Sequence, residues 1–380
     1  MPLFSQSIYI FEKIIYRIED ILRPSAKLPP ESERDKAELP DEGSTISVEK
    51  ALNSRCSSDD DGNPRKLHWG MFDRTKRLSE EQIRRVISLA KTPRLTDGKL
   101  EIRLEHNVLT FLVDNRASEI QREKLMVESG MQQQAVGLTC SALGIGMVMK
   151  NLGKDGSLIS DNEVAAIRIR LGAMKPSYDG TYWSEMAPAG RAPWLKGNLP
   201  DPVRNGEKPL IATLAALRTS NAGSEAVTEK SLSQLLWAAR GRTPHLYKSR
   251  PWGVTIPTWG GEQNISSVYV ISEDRLWKYA NWHKGRPTSS LLEIKTIDRN
   301  LVQQLKELFP LSNTLVAIGR NENTNRSLWE VGYQLLNILI QASALDLRYN
   351  VVLLDGEQRR LLANIGIAGP VAIISRLEVP

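Results

Sequence analysis

Cysteine is scarce in this chain, which argues against a structure held together by disulfides or zinc. The sequence has only Cys56 and Cys140 among 380 residues, with no Cys-x-x-Cys pair, and its four histidines are scattered. Because structural zinc takes closely spaced Cys and His ligands, we expect no metal site. The few cysteines and the absence of a signal peptide favour a cytoplasmic location.

Long apolar runs and a strong charge excess are also missing. No run approaches the roughly 20 apolar residues of a membrane span, so we expect no transmembrane segment. The net charge is +6, from 50 Lys and Arg against 44 Asp and Glu. This modest excess suits a phosphorylated cofactor or an acidic peptide. No basic stripe interleaved with aromatic residues occurs, so nucleic acid is not an expected partner.

The first 47 residues are predicted to be an amphipathic helix followed by a flexible linker. Apolar residues recur from Phe4 to Leu22 at spacings of three and four. This helix could lie on a membrane surface, or pack on the protein's own core or on a partner protein. Its mixed polar face favours packing. From Pro24 to Ser47 the chain is polar and rich in proline, which is typical of a linker.

An internal repeat is the strongest pattern in the remainder. Glu128–Leu143 aligns without gaps with Glu330–Leu345, at a constant offset of 202, and six of sixteen positions are identical. Both segments predict a long, buried helix. Other landmarks recur in the same order: possible capping boxes at Ser79/Gln82 and Ser231/Gln234, and strand-like runs at 108–113, 165–171, 314–318 and 370–377.

The repeat divides the chain into two mixed units joined by a Pro/Gly-rich connection. We predict unit one at 48–176, the connection at 177–209 and unit two at 210–380. Each unit combines helices with strands, so the expected class is α+β. Gly130 and Gly332 fall in the middle of the two long helices, where glycine costs about 1 kcal/mol relative to alanine. Close packing of these helices explains both glycines without any cofactor.

Four segments of unit two carry motifs of a known family. They are SLSQLLWAARG at 231–241, VTIPTWGGEQNISSVYVI at 254–271, DRLWKY at 274–279 and the helix at 328–345. In unit one the helix at 130–146 and the segment Asn53–Ser57 carry matching motifs. Together they resemble the nitroreductase-like flavoprotein superfamily, closest to its SagB-type (azoline dehydrogenase-like) branch.

The resemblance implies two nitroreductase-like units in tandem, folded as an intramolecular pseudo-dimer with FMN between them. The loop at Gly146–Lys150 would follow the central helix and face the flavin. The implied cofactor-binding residues come from both units: Arg55, Cys56, Ser57, Met147, Lys150, Arg191, Thr258, Trp259, Gly261 and Gln263. Lys175 is an alternative to Arg191. The reverse pairing of motifs, through Arg218 and Ser220, lacks partners, which implies one FMN per chain.

The implied function is an FMN-dependent oxidoreductase that acts on a peptide-derived or small organic substrate, with NAD(P)H as a conceivable electron donor. No protein nucleophile or acid/base pair stands out, which fits chemistry carried by a cofactor. The alternative is a flavin-free nitroreductase fold that serves as a binding or scaffold subunit. Simpler interpretations also exist for single residues: a surface salt bridge for Arg55, a core position for Trp259 and a passive thiol for Cys56.

Overall fold

The computed structural model describes most of the two predicted units. It covers residues 46–55, 72–73, 75–92, 94–153, 155–174, 197–222, 227–243, 253–258, 264–283, 286–309 and 314–375, together with a two-residue strand at 35–36. The predicted N-terminal helix lies outside the described residues. The described chain mixes helices with antiparallel sheets, which confirms the α+β class.

The first half is built from short elements around one long helix. Its helices are α1 (Val48–Ser54), α2 (Glu80–Ala90) and α3 (Glu119–Leu143). Its strands are β1 (Asp35–Lys36), β2 (Lys76–Arg77), β3 (Leu100–Glu105), β4 (Val108–Asp114), β5 (Ile145–Asn151), β6 (Ser157–Ser160) and β7 (Glu163–Ala173).

The second half repeats this plan with a larger sheet. Its helices are α4 (Leu210–Ala216), α5 (Glu229–Arg240), α6 (Arg299–Leu308), α7 (Asn325–Ala344) and α8 (Gly356–Asn364). Its strands are β8 (Ser220–Ala222), β9 (Ser266–Ser272), β10 (Arg275–His283), β11 (Arg286–Thr296), β12 (Thr314–Arg320), β13 (Arg348–Leu353) and β14 (Pro370–Ser375).

Four strands of each half follow the same order. The small sheet runs β3-β4-β7-β5, and the large sheet contains β9-β12-β14-β13. In both, the strand before the long helix pairs with the last strand, which then pairs with the strand after the helix, and all these pairs are antiparallel. The strand-like runs identified in the sequence correspond to β4, β7, β12 and β14.

The segment after the first long helix was wrongly expected to be a loop. Gly146–Lys150 lies within β5, which pairs with β7 along its whole length. The turn is confined to Gly144, whose φ of 65° is left-handed and satisfies the helix end at no steric cost. Side chains along this segment therefore alternate between two faces of a sheet.

Helix caps agree with the sequence in the first half and shift in the second. Ser79 and Gln82 form the expected capping box at the start of α2. The box predicted at Ser231 and Gln234 is wrong. Helix α5 begins three residues earlier, with Thr228 as its N-cap and Ser231 as the third helical residue. Both Thr and Ser cap helices through a side-chain oxygen, so either start was chemically available.

The two long helices form the centre of the molecule. Nearly every residue of α3 from Leu125 to Leu143, and of α7 from Ser327 to Ala342, is buried. One hydrophobic core spans both halves, and a second core lies under α6 and α8 on the far side of the large sheet. Within the described residues, no helix is both long and apolar enough to cross a bilayer.

Candidate functional site

The two long helices touch backbone to backbone, and we refer to their contact surface as the seam. A Cβ atom on Gly130 would overlap the carbonyl oxygen of Trp329. A Cβ atom on Gly332 would overlap the carbonyl oxygen of Val127 and lie 2.9 Å from the Cα of Gly130. Only glycine permits this approach, which confirms close helix packing as the reason for both glycines.

Three side chains from three elements converge on one backbone carbonyl beside the seam. The oxygen of Thr255 accepts hydrogen bonds from Gln134 Nε2 at 3.0 Å, Arg55 Nε at 3.1 Å and Asn337 Nδ2 at 3.3 Å. Gln134 Nε2 also donates to Asn337 Oδ1, at 2.9 Å, so the two long helices are bonded through their side chains as well. We call Arg55, Gln134, Asn337 and the Thr255 carbonyl the carbonyl hub.

Arg55 makes the hub a junction between the halves. It directly follows α1 in the first half, and its side chain reaches the segment 253–258 of the second half. Its Nη2 donates to the Val254 carbonyl at 3.3 Å, and the residue is only 7% exposed. Arg55 is therefore not a surface residue, contrary to the simpler interpretation: its guanidinium is buried against main-chain oxygens.

Met147 lies next to Arg55 over a glycine. A Cβ atom on Gly137, in α3, would lie 3.1 Å from Met147 Cε and 3.6 Å from Arg55 Cδ. The absence of a side chain on Gly137 thus leaves a shallow cradle on α3, which the Met147 and Arg55 side chains fill. The structure therefore brings together Arg55 and Met147, two of the residues that the sequence singled out.

The other two described site residues, Thr258 and Lys150, lie in different surroundings. Thr258 is half-buried and follows the hub carbonyl by three residues. Lys150 is exposed, and its cross-strand neighbour is the exposed Arg168. Because side chains alternate along a strand, Lys150 lies on the opposite face of β5 from Met147. The structure does not bring Lys150 to the hub.

Six of the sequence-predicted residues lie outside the described residues. They are Cys56, Ser57, Arg191, Trp259, Gly261 and Gln263. Cys56 and Ser57 directly follow the buried Arg55, and the other three of unit two follow Thr258 in the chain. Within the described part of the chain, no group of three or more His, Cys, Asp or Glu side chains is arranged to hold a metal.

Two glutamates at repeat-equivalent positions anchor the loops on either side of the seam. Glu128 and Glu330 are both fully buried. Glu128 accepts hydrogen bonds from the Leu95 N–H at 3.0 Å and from the Thr96 N–H at 2.9 Å. Burial raises the pKa of Glu128, against these hydrogen bonds, which lower it. Its carboxylate fixes the loop after α2.

Glu330 is bound by a buried arginine rather than by backbone N–H groups. Its Oε2 lies 2.6 Å from Arg240 Nη1, and the Arg240 side chain is 4% exposed. The Ser266 hydroxyl donates to the same oxygen at 2.9 Å. This pair ties the end of α5 and the start of β9 to α7, and therefore fixes the two elements that flank the segment 253–258.

Gln134, Asn337 and Thr255 are the hub residues that sequence reasoning missed. Gln134 and Asn337 stand in helices that were described as mostly apolar, and polar side chains in such a setting need buried partners. That mismatch was a usable signal. Thr255 gave none, because it contributes a main-chain oxygen that every residue type possesses.

Comparisons with known proteins yield no family assignment. No protein-family model matches the chain, and no curated protein matches it. Two solved structures are similar. One is a "putative nitroreductase" from Anabaena variabilis, at 12% identity and a TM-score of 0.49 over 71% of this chain and 69% of that one. The other is a "putative nitroreductase" from Ralstonia eutropha, at 20% identity and a TM-score of 0.37 over 48% of this chain and 89% of that one.

Proposed function

We propose that the chain is an FMN-dependent oxidoreductase that dehydrogenates or reduces a peptide-derived or small organic substrate at the seam. The observation that carries this proposal is the carbonyl hub. It places Arg55, from the motif implied to bind the flavin phosphate, against the segment of the other half that leads into the implied ring-binding loop. A site composed of both halves is what the motif pairing requires.

The described residues fit a flavin in two respects. The Oε1 atom of Gln134 is buried and lacks a hydrogen-bond partner, so it can accept a bond from the imide N–H of a flavin ring. The second is the packing of Arg55 and Met147 over Gly137, which brings together two side chains that the resemblance implies as cofactor-binding.

When bound, FMN would accept a hydride at N5, from a substrate C–H or from NAD(P)H, and pass the electrons on. The chain's own residues would bind and orient. The Thr258 hydroxyl is half-buried and can donate a hydrogen bond. Met147 would exclude water from the cradle. Cys56, Ser57, Arg191, Trp259, Gly261 and Gln263 complete the proposed binding set, and their order in the chain lets them extend the hub in both directions.

The two halves are proposed to be tandem nitroreductase-like units of the SagB type that form a pseudo-dimer. Their shared strand order supports this, as does the meeting of Gly130 and Gly332, which are 202 positions apart in the sequence alignment. We further propose a single flavin per chain. Arg218, which occupies the position of Arg55 after α4, is exposed and donates to its own neighbour Leu217 rather than across the seam.

The test is flavin uptake by the purified full-length chain. We expect a yellow protein, or one that becomes yellow with added FMN, and one flavin per chain after denaturation and release. Anaerobic NADPH or NADH should bleach the visible spectrum if either is the donor. Arg55→Ala should lower flavin occupancy, whereas Arg218→Ala should not. A stoichiometry near two, or equal effects of the two substitutions, would contradict the proposed single site.

A scaffold or binding subunit without flavin is the second candidate, and one observation favours it. The Arg55 guanidinium donates to two main-chain carbonyls, so in this structure it serves as a tie between the halves. A protein that remains colourless and gains no thermal stability from added FMN would establish this candidate and overturn the first.

A further inference from the structure

A second polar cluster lies where the connection between the halves crosses the large sheet. Residues 197–199 extend the edge of β11: Leu199 N–H donates to the Ser289 carbonyl at 3.3 Å, and Asn198 exchanges two bonds of 2.9 Å with the Leu291 main chain. Gln234 then holds both the N–H and the carbonyl of Val203. These contacts hold the half-buried Arg204 next to the large sheet.

Arg204 arrives beside a buried phenol, a buried hydroxyl and a second arginine. We call Arg204, Arg242, Tyr279 and Ser289 the anion cluster. Tyr279 is 4% exposed and Ser289 is 6% exposed. The two hydroxyls lie close to each other, and among the described residues neither has a further hydrogen-bond partner. Buried hydroxyls are normally fully hydrogen-bonded, so two in one place without further partners indicate a missing acceptor or donor.

The charges around these hydroxyls are positive. Burial raises the pKa of Tyr279 to about 12, while the nearby Ser289 hydroxyl and the charges of Arg242 and Arg204 act to lower it. Burial also lowers the pKa of Arg204, whose Nη1 donates to the neutral amide oxygen of Asn53 at 3.2 Å. A half-buried guanidinium bonded to a neutral group gains from a negative ligand.

Among the described residues, the carboxylate that raises the pKa of Arg204 is that of Asp201, which is itself exposed. Glu49, one helical turn before Asn53, accepts a bond of 2.7 Å from Gln341 and is not among the charges that shift Arg204. Arg242 donates to the Asn281 carbonyl at 3.0 Å and stacks 4.8 Å above the Trp282 ring, which fixes its guanidinium in place.

The cluster is continuous with the carbonyl hub. Arg242 pairs with Val254 through an isolated β-bridge, and the Val254 carbonyl accepts from Arg55. On the other side, Asn53 precedes Arg55 by two residues in the chain. A ligand that occupies the seam can therefore extend one end toward Arg204 and Tyr279.

We propose that Arg204, Arg242, Tyr279 and Ser289 bind an oxyanion, a phosphate or carboxylate group, carried by the ligand of the seam. Two guanidinium groups supply charge-assisted donors, and the two hydroxyls supply neutral ones. The oxyanion has two conceivable sources. One is the phosphate of FMN, and for this source the proposal rests on the proposed function. The other source is an anionic group on the substrate.

The test compares binding of FMN, riboflavin and inorganic phosphate to the full-length chain by titration calorimetry. The variants are Arg204→Gln and Tyr279→Phe, and the control is Arg275→Gln, which removes an exposed arginine of the same strand as Tyr279. Tyr279→Phe removes a buried hydroxyl whose one near neighbour is the Ser289 hydroxyl, so it should change the free energy of unfolding little. Thermal unfolding of this variant separates a loss of binding from misfolding.

The expected result is at least tenfold weaker anion binding in Arg204→Gln, a several-fold loss in Tyr279→Phe and no change in Arg275→Gln. If FMN weakens and riboflavin does not, the oxyanion is the flavin phosphate. The oxyanion belongs to the substrate under two conditions. Phosphate binding must depend on Arg204, and FMN and riboflavin must either bind with equal affinity or both fail to bind. The proposal is overturned if no oxyanion binds, or if both variants bind phosphate and FMN as the wild type does. Flavin uptake and phosphate binding that both survive the two substitutions would overturn the anion cluster alone and leave the proposed function standing.

Discussion

The two halves place the same residue types at equivalent positions and use them differently. Glu330 is bound to a buried arginine, whereas Glu128 is bound to backbone N–H groups and lies 3.7 Å from Arg94, which is 58% exposed. Arg55 is buried across the seam, and Arg218 is exposed. Equivalent positions in the two halves therefore do not make equivalent contacts. Matched substitutions should change the stability of the protein unequally.

The largest difference is expected at the glutamates. Glu330→Gln leaves Arg240 buried without its counter-ion, which typically costs about 3–5 kcal/mol. Glu128→Gln keeps an amide oxygen that can accept from Leu95 and Thr96, so we expect a loss of about 1 kcal/mol or less. Urea unfolding measures both. Equal losses would show that the two glutamates do the same work.

The glycines of the seam should come next. In Gly332→Val the side chain would collide with the Val127 carbonyl and force the long helices apart, at a cost of about 3 kcal/mol in unfolding free energy. The control is Gly356→Ala, at the start of α8, where a Cβ atom would meet nothing within 4 Å. A stable Gly332→Val protein would contradict the backbone contact.

The arginines should show a smaller asymmetry. Arg55→Ala removes two hydrogen bonds to buried carbonyls and should cost about 2 kcal/mol. Arg218→Ala should stay within about 0.5 kcal/mol of the wild type, as surface substitutions usually do. Thermal unfolding of both variants checks this. A loss in Arg218→Ala as large as that in Arg55→Ala would mean that the second arginine also supports the fold.

Acid titration should give the smallest effect. Burial raises the pKa of Glu128 above its unfolded value, so the folded protein takes up this proton first as the pH falls. The cost of burying its charge is present above the folded pKa and disappears as the pH falls through the folded and then the unfolded value. Between neutral pH and pH about 4, the wild type should therefore gain stability relative to Glu128→Gln. A difference in unfolding free energy that does not change with pH between the wild type and Glu128→Gln would contradict the raised pKa of Glu128.

Periodic and repeated features were predictable from the sequence, and long-range main-chain contacts were not. Both long helices, four principal strands and the role of Gly130 and Gly332 follow from apolar spacing and the constant offset. The short run at Gly146–Lys150 was taken for a loop because five residues cannot distinguish a strand from a turn. Thr228 was passed over because Ser231 offered the same capping chemistry three residues later.

The candidate site was predictable only in part. Arg55 and Met147 were singled out from the sequence, and the structure places them next to each other; their binding of a cofactor stays a prediction. The hub acceptor at Thr255 is a main-chain atom, and Arg204 reaches Tyr279 only because residues 197–203 are bound along β11 and α5. Such placements depend on contacts between segments far apart in the chain, which local sequence patterns do not encode.

The backbone contact between α3 and α7 also constrains how the protein acquires its structure. Each long helix packs against the other half along the seam, and the residues that meet are about 200 positions apart in the sequence. The chain must close a very long loop before either helix is fully protected, and high contact order of this kind slows folding. During synthesis on the ribosome, the first half would therefore expose the apolar surface of α3 until α7 emerges.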